Sequence, residues 1–159
     1  MTIYNFAAGP ATLPAEVLQE AQRDLVSLPG VGISLLEMSH RSKPVVEMIE
    51  SAEQDIRDLA GIPDNYQVLF LQGGASLQFS MVPMNLLTPN GHADHIVTGN
   101  FANLALKDAK KVGAIRLAGS TEDSNHDRIP SQEQLDLDFA ADYVHFTGNN
   151  TIYGTEWAT

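Results

Sequence analysis

Gln67-Val68-Leu69-Phe70-Leu71-Gln72-Gly73-Gly74-Ala75-Ser76-Leu77-Gln78-Phe79 is the stretch on which the fold class turns. Gln67 to Leu71 is a compact apolar run of strand length, and Gly73 and Gly74 follow it at once. Beyond the glycines, Leu77, Met81 and Met84 recur at helical spacing. Strand, glycine turn and helix in that order make the unit of a parallel sheet. Downstream, Asp94 to Thr98 and Gly113 to Leu117 are expected to be short strands with a helix from about Asn100 to Val112 between them, and Tyr143 to Thr147 a further strand. Upstream, Thr12, Leu13 and Pro14 open a helix bearing Val17, Leu18, Ala21 and Leu25, which ends before Pro29 and Gly30. A second helix begins near Pro44 with Ser42 as a cap and carries Val45, Ile49, Ala52, Ile56 and Leu59 on one stripe until Gly61. This alternation predicts an α/β fold, a mostly parallel sheet flanked by helices and joined by right-handed crossovers. Gly148 to Tyr153 reads as a polar turn, and no closing helix follows it, so the domain is expected to be unfinished within residues 1–159.

A chain of 159 residues, 43% hydrophobic and 18% charged, has the composition of one ordinary globular domain. Its apolar runs, such as Val68 to Leu71, fall far short of the roughly 20 residues that span a bilayer. Met1 to Pro14 lacks a basic cluster followed by an apolar segment, so no membrane partner and a cytoplasmic location are expected. With no cysteine, a disulfide framework and a thiolate metal site are excluded. Nine Lys and Arg against a net charge of −11 disfavour nucleic acid. Much of the acidity falls between Gly119 and Asp138, which reads as a solvated surface excursion.

Chemistry-bearing candidates follow the predicted strands. Small residues at Gly73 to Ser76 let backbone approach an anion, and the free N–H groups of a helix start hold phosphate together with the helix dipole. Read locally, a tight turn capped by Ser76 is the commoner explanation, since neither a dinucleotide fingerprint nor a Walker lysine is present. His40 and Arg41 fall on a loop before the second helix, where a guanidinium suits a carboxylate or phosphate, although an ordinary surface arginine is more common. Phe101 follows a strand end, at the edge where parallel sheets bind ligands, and its ring suits either a planar cofactor or the core. Asn149, Asn150 and Thr151 offer amide and hydroxyl groups after another strand. His92, His95, His126 and His145 show no zinc-ligand spacing, so dispersed solvent or core roles and no metal are expected.

Several ordered motifs together resemble the phosphoserine aminotransferase family: Tyr4-Asn5-Phe6-Ala7-Ala8-Gly9-Pro10-Ala11-Thr12-Leu13-Pro14, Glu37-Met38-Ser39-His40-Arg41-Ser42, Phe70 to Phe79, Val82-Pro83-Met84-Asn85-Leu86 and Asn149-Asn150-Thr151-Ile152-Tyr153-Gly154. The match runs across nearly the whole chain and is weakest from 119 to 138. It implies a fold-type I pyridoxal-phosphate enzyme with a large and a small domain, working as a homodimer. The chain would be the amino-terminal part of the large domain. The reaction implied transfers an amino group between glutamate and 3-phosphohydroxypyruvate, giving phosphoserine and 2-oxoglutarate in serine biosynthesis. Some members also serve the related step of pyridoxine biosynthesis.

Carried over by motif, Ala75 and Ser76 would bind the pyridoxal 5'-phosphate phosphate, and Thr151 would meet the ring oxygen. Phe101 stands where the family commonly stacks a tryptophan. His40 and Arg41 would bind the anionic ends of the substrates. Ala8 stands where some relatives have a serine, and no polar role is assigned to it. No catalytic residue is assigned in this chain: Lys43, Lys107, Lys110 and Lys111 lie outside the motif of the cofactor-linked lysine, which is expected beyond Thr159. The fragment alone is therefore expected to be inactive. The competing readings are another fold-type I aminotransferase and a noncatalytic α/β module that binds a phosphorylated metabolite.

Overall fold

The computed structural model describes residues 3–7 and 9–158. The chain divides into two units, Met1–Phe70 and Leu71–Thr159.

The described elements of the first unit are helical: α1 at Ala15–Val26 and α2 at Lys43–Ala60, with a short 3-10 turn at Leu35–Glu37 between them. Pro14 precedes α1, where its missing N–H costs nothing, and the chain turns extended at Ser27. Leu28 then buries itself, donating to the Ile33 carbonyl at 2.8 Å and accepting from Val31 and Gly32 at 3.1 Å. α2 has Pro44 in its first turn and stops at Gly61, whose φ of 62° admits a residue without a Cβ. Ser42 occupies the cap position but does not cap: its hydroxyl donates to the Ser39 carbonyl at 2.7 Å. The apolar stripes are real yet exposed, with Leu18 at 53%, Ile49 at 47% and Leu59 at 89%.

In the second unit come α3 (Gly74–Leu86), β1 (Ala93–Val97), α4 (Asn100–Ala109), β2 (Ile115–Ser120), β3 (Tyr143–His145), β4 (Asn149–Asn150) and β5 (Thr155–Glu156). The main sheet has the order β2-β1-β3 and both pairings are parallel, with Ala93 opposite Ile115 on one side and Tyr143 on the other. β4 and β5 form a small antiparallel hairpin. Every residue of β1 is buried, as a central parallel strand should be. α4 lies close over one sheet face because its buried positions are mostly alanine, Ala102, Ala105 and Ala109, with Leu106 joining Val97 and Ile115 in the core.

The structure confirms the α/β fold and most of the expected elements but, besides the Ser42 cap, corrects four further readings. Gln67 to Leu71 forms no strand. An apolar run becomes a strand only through an inter-strand ladder, and no described strand pairs with it. β2 starts at Ile115 rather than Gly113 because the Gly113 N–H still donates to the Ala109 carbonyl at the end of α4. The polar turn at 148–153 contains β4 and leads into β5. The acidic excursion is not simply solvated: buried Asp94 accepts the Asp138 N–H at 2.6 Å, and Arg116 reaches Asp94 at 3.3 Å, Asp136 at 2.7 Å and Asp138 at 3.5 Å. No described helix is long and apolar enough to cross a membrane.

Candidate functional site

α3 leads into β1, and α4 links β1 to β2. Pro83, Met84 and Leu87 at the end of α3 border the same cavity as Val112 and Gly113 beyond α4, so the two helices end side by side. The first turn of α4 follows the carboxyl end of β1, and α3, packed against α4 with its end beside that of α4, opens at its opposite end with the Gly73-Gly74 turn. Parallel sheets bind ligands at the edge formed by the carboxyl ends of their strands.

α3 opens with Gly73 at φ 91° and Gly74 at φ 59°, left-handed values that L side chains seldom adopt. A Cβ at Gly73 would also collide with the Leu77 side chain. No side chain caps this helix, and its first intrahelical bond runs from the Leu77 N–H to the Gly73 carbonyl at 3.3 Å. The N–H groups of Gly74, Ala75 and Ser76 consequently precede the ladder and remain free to bind an anion. Ala75 and Ser76 are exposed. Backbone donors, a hydroxyl and a positive helix end in one turn are the donor set a phosphomonoester needs.

Phe101 occupies the first turn of α4 at 47% exposure, whereas its neighbour Ala102 is buried at 1%. The ring thus belongs to the edge rather than to the core. Thr151 follows β4 on the turn of the hairpin, exposed, with its hydroxyl donating to Asn149 Oδ1 at 3.1 Å.

Three residues bind this edge together: Asn150, which the sequence marked only as a polar group after a strand, and Thr155 and Tyr153, to which it gave no role. Buried Asn150 donates through Nδ2 to Thr98 Oγ1 at 2.9 Å, and Thr155 Oγ1 donates to the Thr98 carbonyl at 3.2 Å. Tyr153 donates its hydroxyl to Asn100 Oδ1 at 3.2 Å and sets its ring edge-on to His126, centroids 5.0 Å apart. The available signal was Thr98-Gly99 directly after a strand, a place where backbone is held close to something.

His40 and Arg41 belong to the first unit, on the turn before α2. Arg41 is exposed; its N–H donates to Ser39 Oγ at 3.2 Å, and its guanidinium has no partner among the described residues. His40 borders an apolar pocket of about 410 Å³ with Leu35, Met38, Val45, Met48 and Phe70. Ala8 lies outside the described residues. Among the described residues no three His, Asp or Glu side chains converge as metal ligands.

The family model described as aminotransferase class-V matches residues 3–159. The chain belongs to the aminotransferase class-V family. Within this family, the phosphoserine aminotransferase of Halalkalibacterium halodurans is 49% identical over 156 residues, covering 98% of this chain and 43% of the relative. A solved phosphoserine aminotransferase, studied for radiation damage of its Schiff base, superposes with a TM-score of 0.94 at 43% identity, over 99% of this chain and 44% of that one. The pyridoxal-phosphate-bound phosphoserine aminotransferase of Trichomonas vaginalis gives a TM-score of 0.89 at 32% identity, over 97% and 44% of the two chains. This class-V chain spans less than half the length of the relatives it matches.

Proposed function

We propose that this chain supplies the cofactor-phosphate and ring contacts of a phosphoserine aminotransferase, a pyridoxal-phosphate enzyme that exchanges an amino group between glutamate and 3-phosphohydroxypyruvate. The observation that carries the proposal is the uncapped, doubly left-handed glycine turn at the start of α3, in the same unit as Phe101 and Thr151. Bound there, the cofactor supplies an electron sink that allows an amino group to move between carbon skeletons. The amides of Ala75 and Ser76, with the Ser76 hydroxyl, hold its phosphate. Phe101 stacks on the pyridine ring with less area than a tryptophan has, and the Thr151 hydroxyl fixes the ring by a hydrogen bond. Arg41 and His40 take the anionic ends of the substrates.

On this reading the chain is the amino-terminal part of a large cofactor-binding domain in a cytoplasmic enzyme without nucleic-acid or membrane partners. The exposed apolar stripes of α1 and α2 support a homodimer. Equilibrium dialysis against pyridoxamine 5'-phosphate and pyridoxamine tests the reading, because neither probe needs a covalent link. Binding of the phosphorylated probe alone is the expected result. Equal binding of both, or of neither, overturns it.

A further inference from the structure

Asn150 is 2% exposed, yet its Oδ1 has no partner among the described residues, while its Nδ2 is fixed to Thr98 Oγ1 at 2.9 Å. Thr98 is fully buried and directly follows β1, with only Gly99 between it and α4. The carboxamide lies against Gly99 so closely that any Cβ there would run into it. Gly99 has an extended backbone, φ 162° and ψ −177°, so glycine is needed for space and not for conformation. On its other side, the Asn150 carbonyl accepts the N–H groups of Tyr153 and Gly154, both at 3.0 Å, and so closes the turn that carries Thr151. One buried residue therefore touches both the strand end that launches Phe101 and the turn that presents Thr151.

We propose that Asn150, seated on Thr98 and Gly99, is a positioning residue that locks the β4–β5 turn to the first turn of α4, so that Thr151 and Phe101 address one ring in a fixed geometry. This rests on the cofactor reading above for the identity of that ring. The physical case is independent of it. A buried amide is held only where its hydrogen bond and its packing agree, and loss of either frees two segments 50 residues apart in sequence, Gly99 and Asn149, together. Thr155 and Tyr153 add outer ties, to the Thr98 carbonyl and to Asn100, but neither fills the space beside Gly99.

The test compares Asn150→Ala, Thr98→Val and Thr98→Ser by amide hydrogen exchange and by binding of pyridoxamine 5'-phosphate, read through affinity and ring fluorescence. Thr98→Val deletes only the hydroxyl and keeps the volume, so it serves if Asn150→Ala fails to fold. Both disruptive variants should speed exchange about ten-fold at the Asn103 amide, which bonds to Gly99, and at the Tyr153 and Gly154 amides together. They should also weaken the probe by about ten-fold and change its emission, while Thr98→Ser behaves as the parent. Gly99→Ala should reproduce the effect, and its cost should shrink in the Asn150→Ala background, where the collision is gone. Faster exchange in the hairpin alone, or in neither segment, overturns the clamp. Faster exchange in both with an unchanged probe affinity and spectrum overturns the positioning role. If the parent chain binds no probe, the cofactor reading fails, and the clamp is judged by exchange alone.

Discussion

The imidazole of His95 lies on that of His145, ring centroids 4.5 Å apart and planes 15° from parallel. The parallel register of β1 and β3 places the two opposite each other, and Tyr143 meets His95 edge-on at 6.0 Å. His95 is 2% exposed and neither ring nitrogen has a partner among the described residues. Burial, reinforced by His145 and Lys110, pushes His95 from 6.5 down to about 4, and burial lowers His145 as well. A base whose pKa falls on folding takes up protons more readily when unfolded, so its contribution is intact above 6.5 and is lost as pH falls toward 4. From His95 alone, stability at pH 5 should be about 2 kcal/mol lower than at pH 7.5. Urea unfolding at the two pH values measures this. His95→Leu, of comparable volume, should flatten the dependence; parallel declines in parent and variant would show that the imidazole is not its source.

Transamination by this chain on its own should be undetectable. Lys107, Lys110 and Lys111 stand at the far end of α4 from its first turn, and Lys111 is paired with Asp108 at 2.6 Å. Lys43 pairs with Glu47 at the start of α2 in the first unit. Among the described residues of the second unit, no lysine amine thus stands at the first turn of α4 to shuttle a proton. Turnover of phosphoserine with 2-oxoglutarate by the purified chain would contradict this.

Arg41→Ala, made in an active enzyme carrying this sequence, should lower kcat/KM for phosphoserine by roughly ten-fold to a hundred-fold while cofactor absorbance stays unchanged. The guanidinium is exposed and unpaired among the described residues, and the cofactor phosphate is assigned to the glycine turn instead, so substrate and cofactor effects should separate. Arg41→Lys should recover only part of the loss, since an ammonium lacks the planar fork. Unchanged kinetics in Arg41→Ala would remove it from the substrate site.

How much of this was legible in the sequence depends on the range of the interaction. α1, α2 and the start of α4 could be read because their signals are local: Pro14, Pro44 and Gly61 mark ends, and apolar residues repeat every three or four positions. Gln67 to Leu71 misled because apolar content identifies a buried strand only when a partner supplies the ladder. The anchoring of the acidic excursion was invisible for a related reason, since Asp94 and Asp138 meet across 44 residues. At the site, the Gly73-Gly74 turn could be read from its own residues, whereas Asn150 gained its meaning only from Thr98 and Gly99, with Thr98 52 positions away.

Hydrophobic dye should bind this chain strongly, and the chain should self-associate. Leu18, Leu25, Ile49 and Leu59 on α1 and α2 are each 47% exposed or more, which is a large apolar area for a folded surface. A monodisperse monomer that leaves the dye dark in sedimentation and fluorescence measurements would contradict this.

The central claim is that the first turn of α3 holds the phosphate of a pyridine cofactor whose ring meets Phe101 and Thr151. Nitrogen-15 NMR of the chain titrated with pyridoxamine 5'-phosphate tests it residue by residue. The account predicts that the amides of Gly74, Ala75 and Ser76 shift most, that those of Phe101 and Thr151 shift with the same affinity, and that inorganic phosphate moves only the first group. Shifts confined to the apolar pocket around Met38 and Val45, or a glycine turn that stays silent at saturating probe, would contradict it.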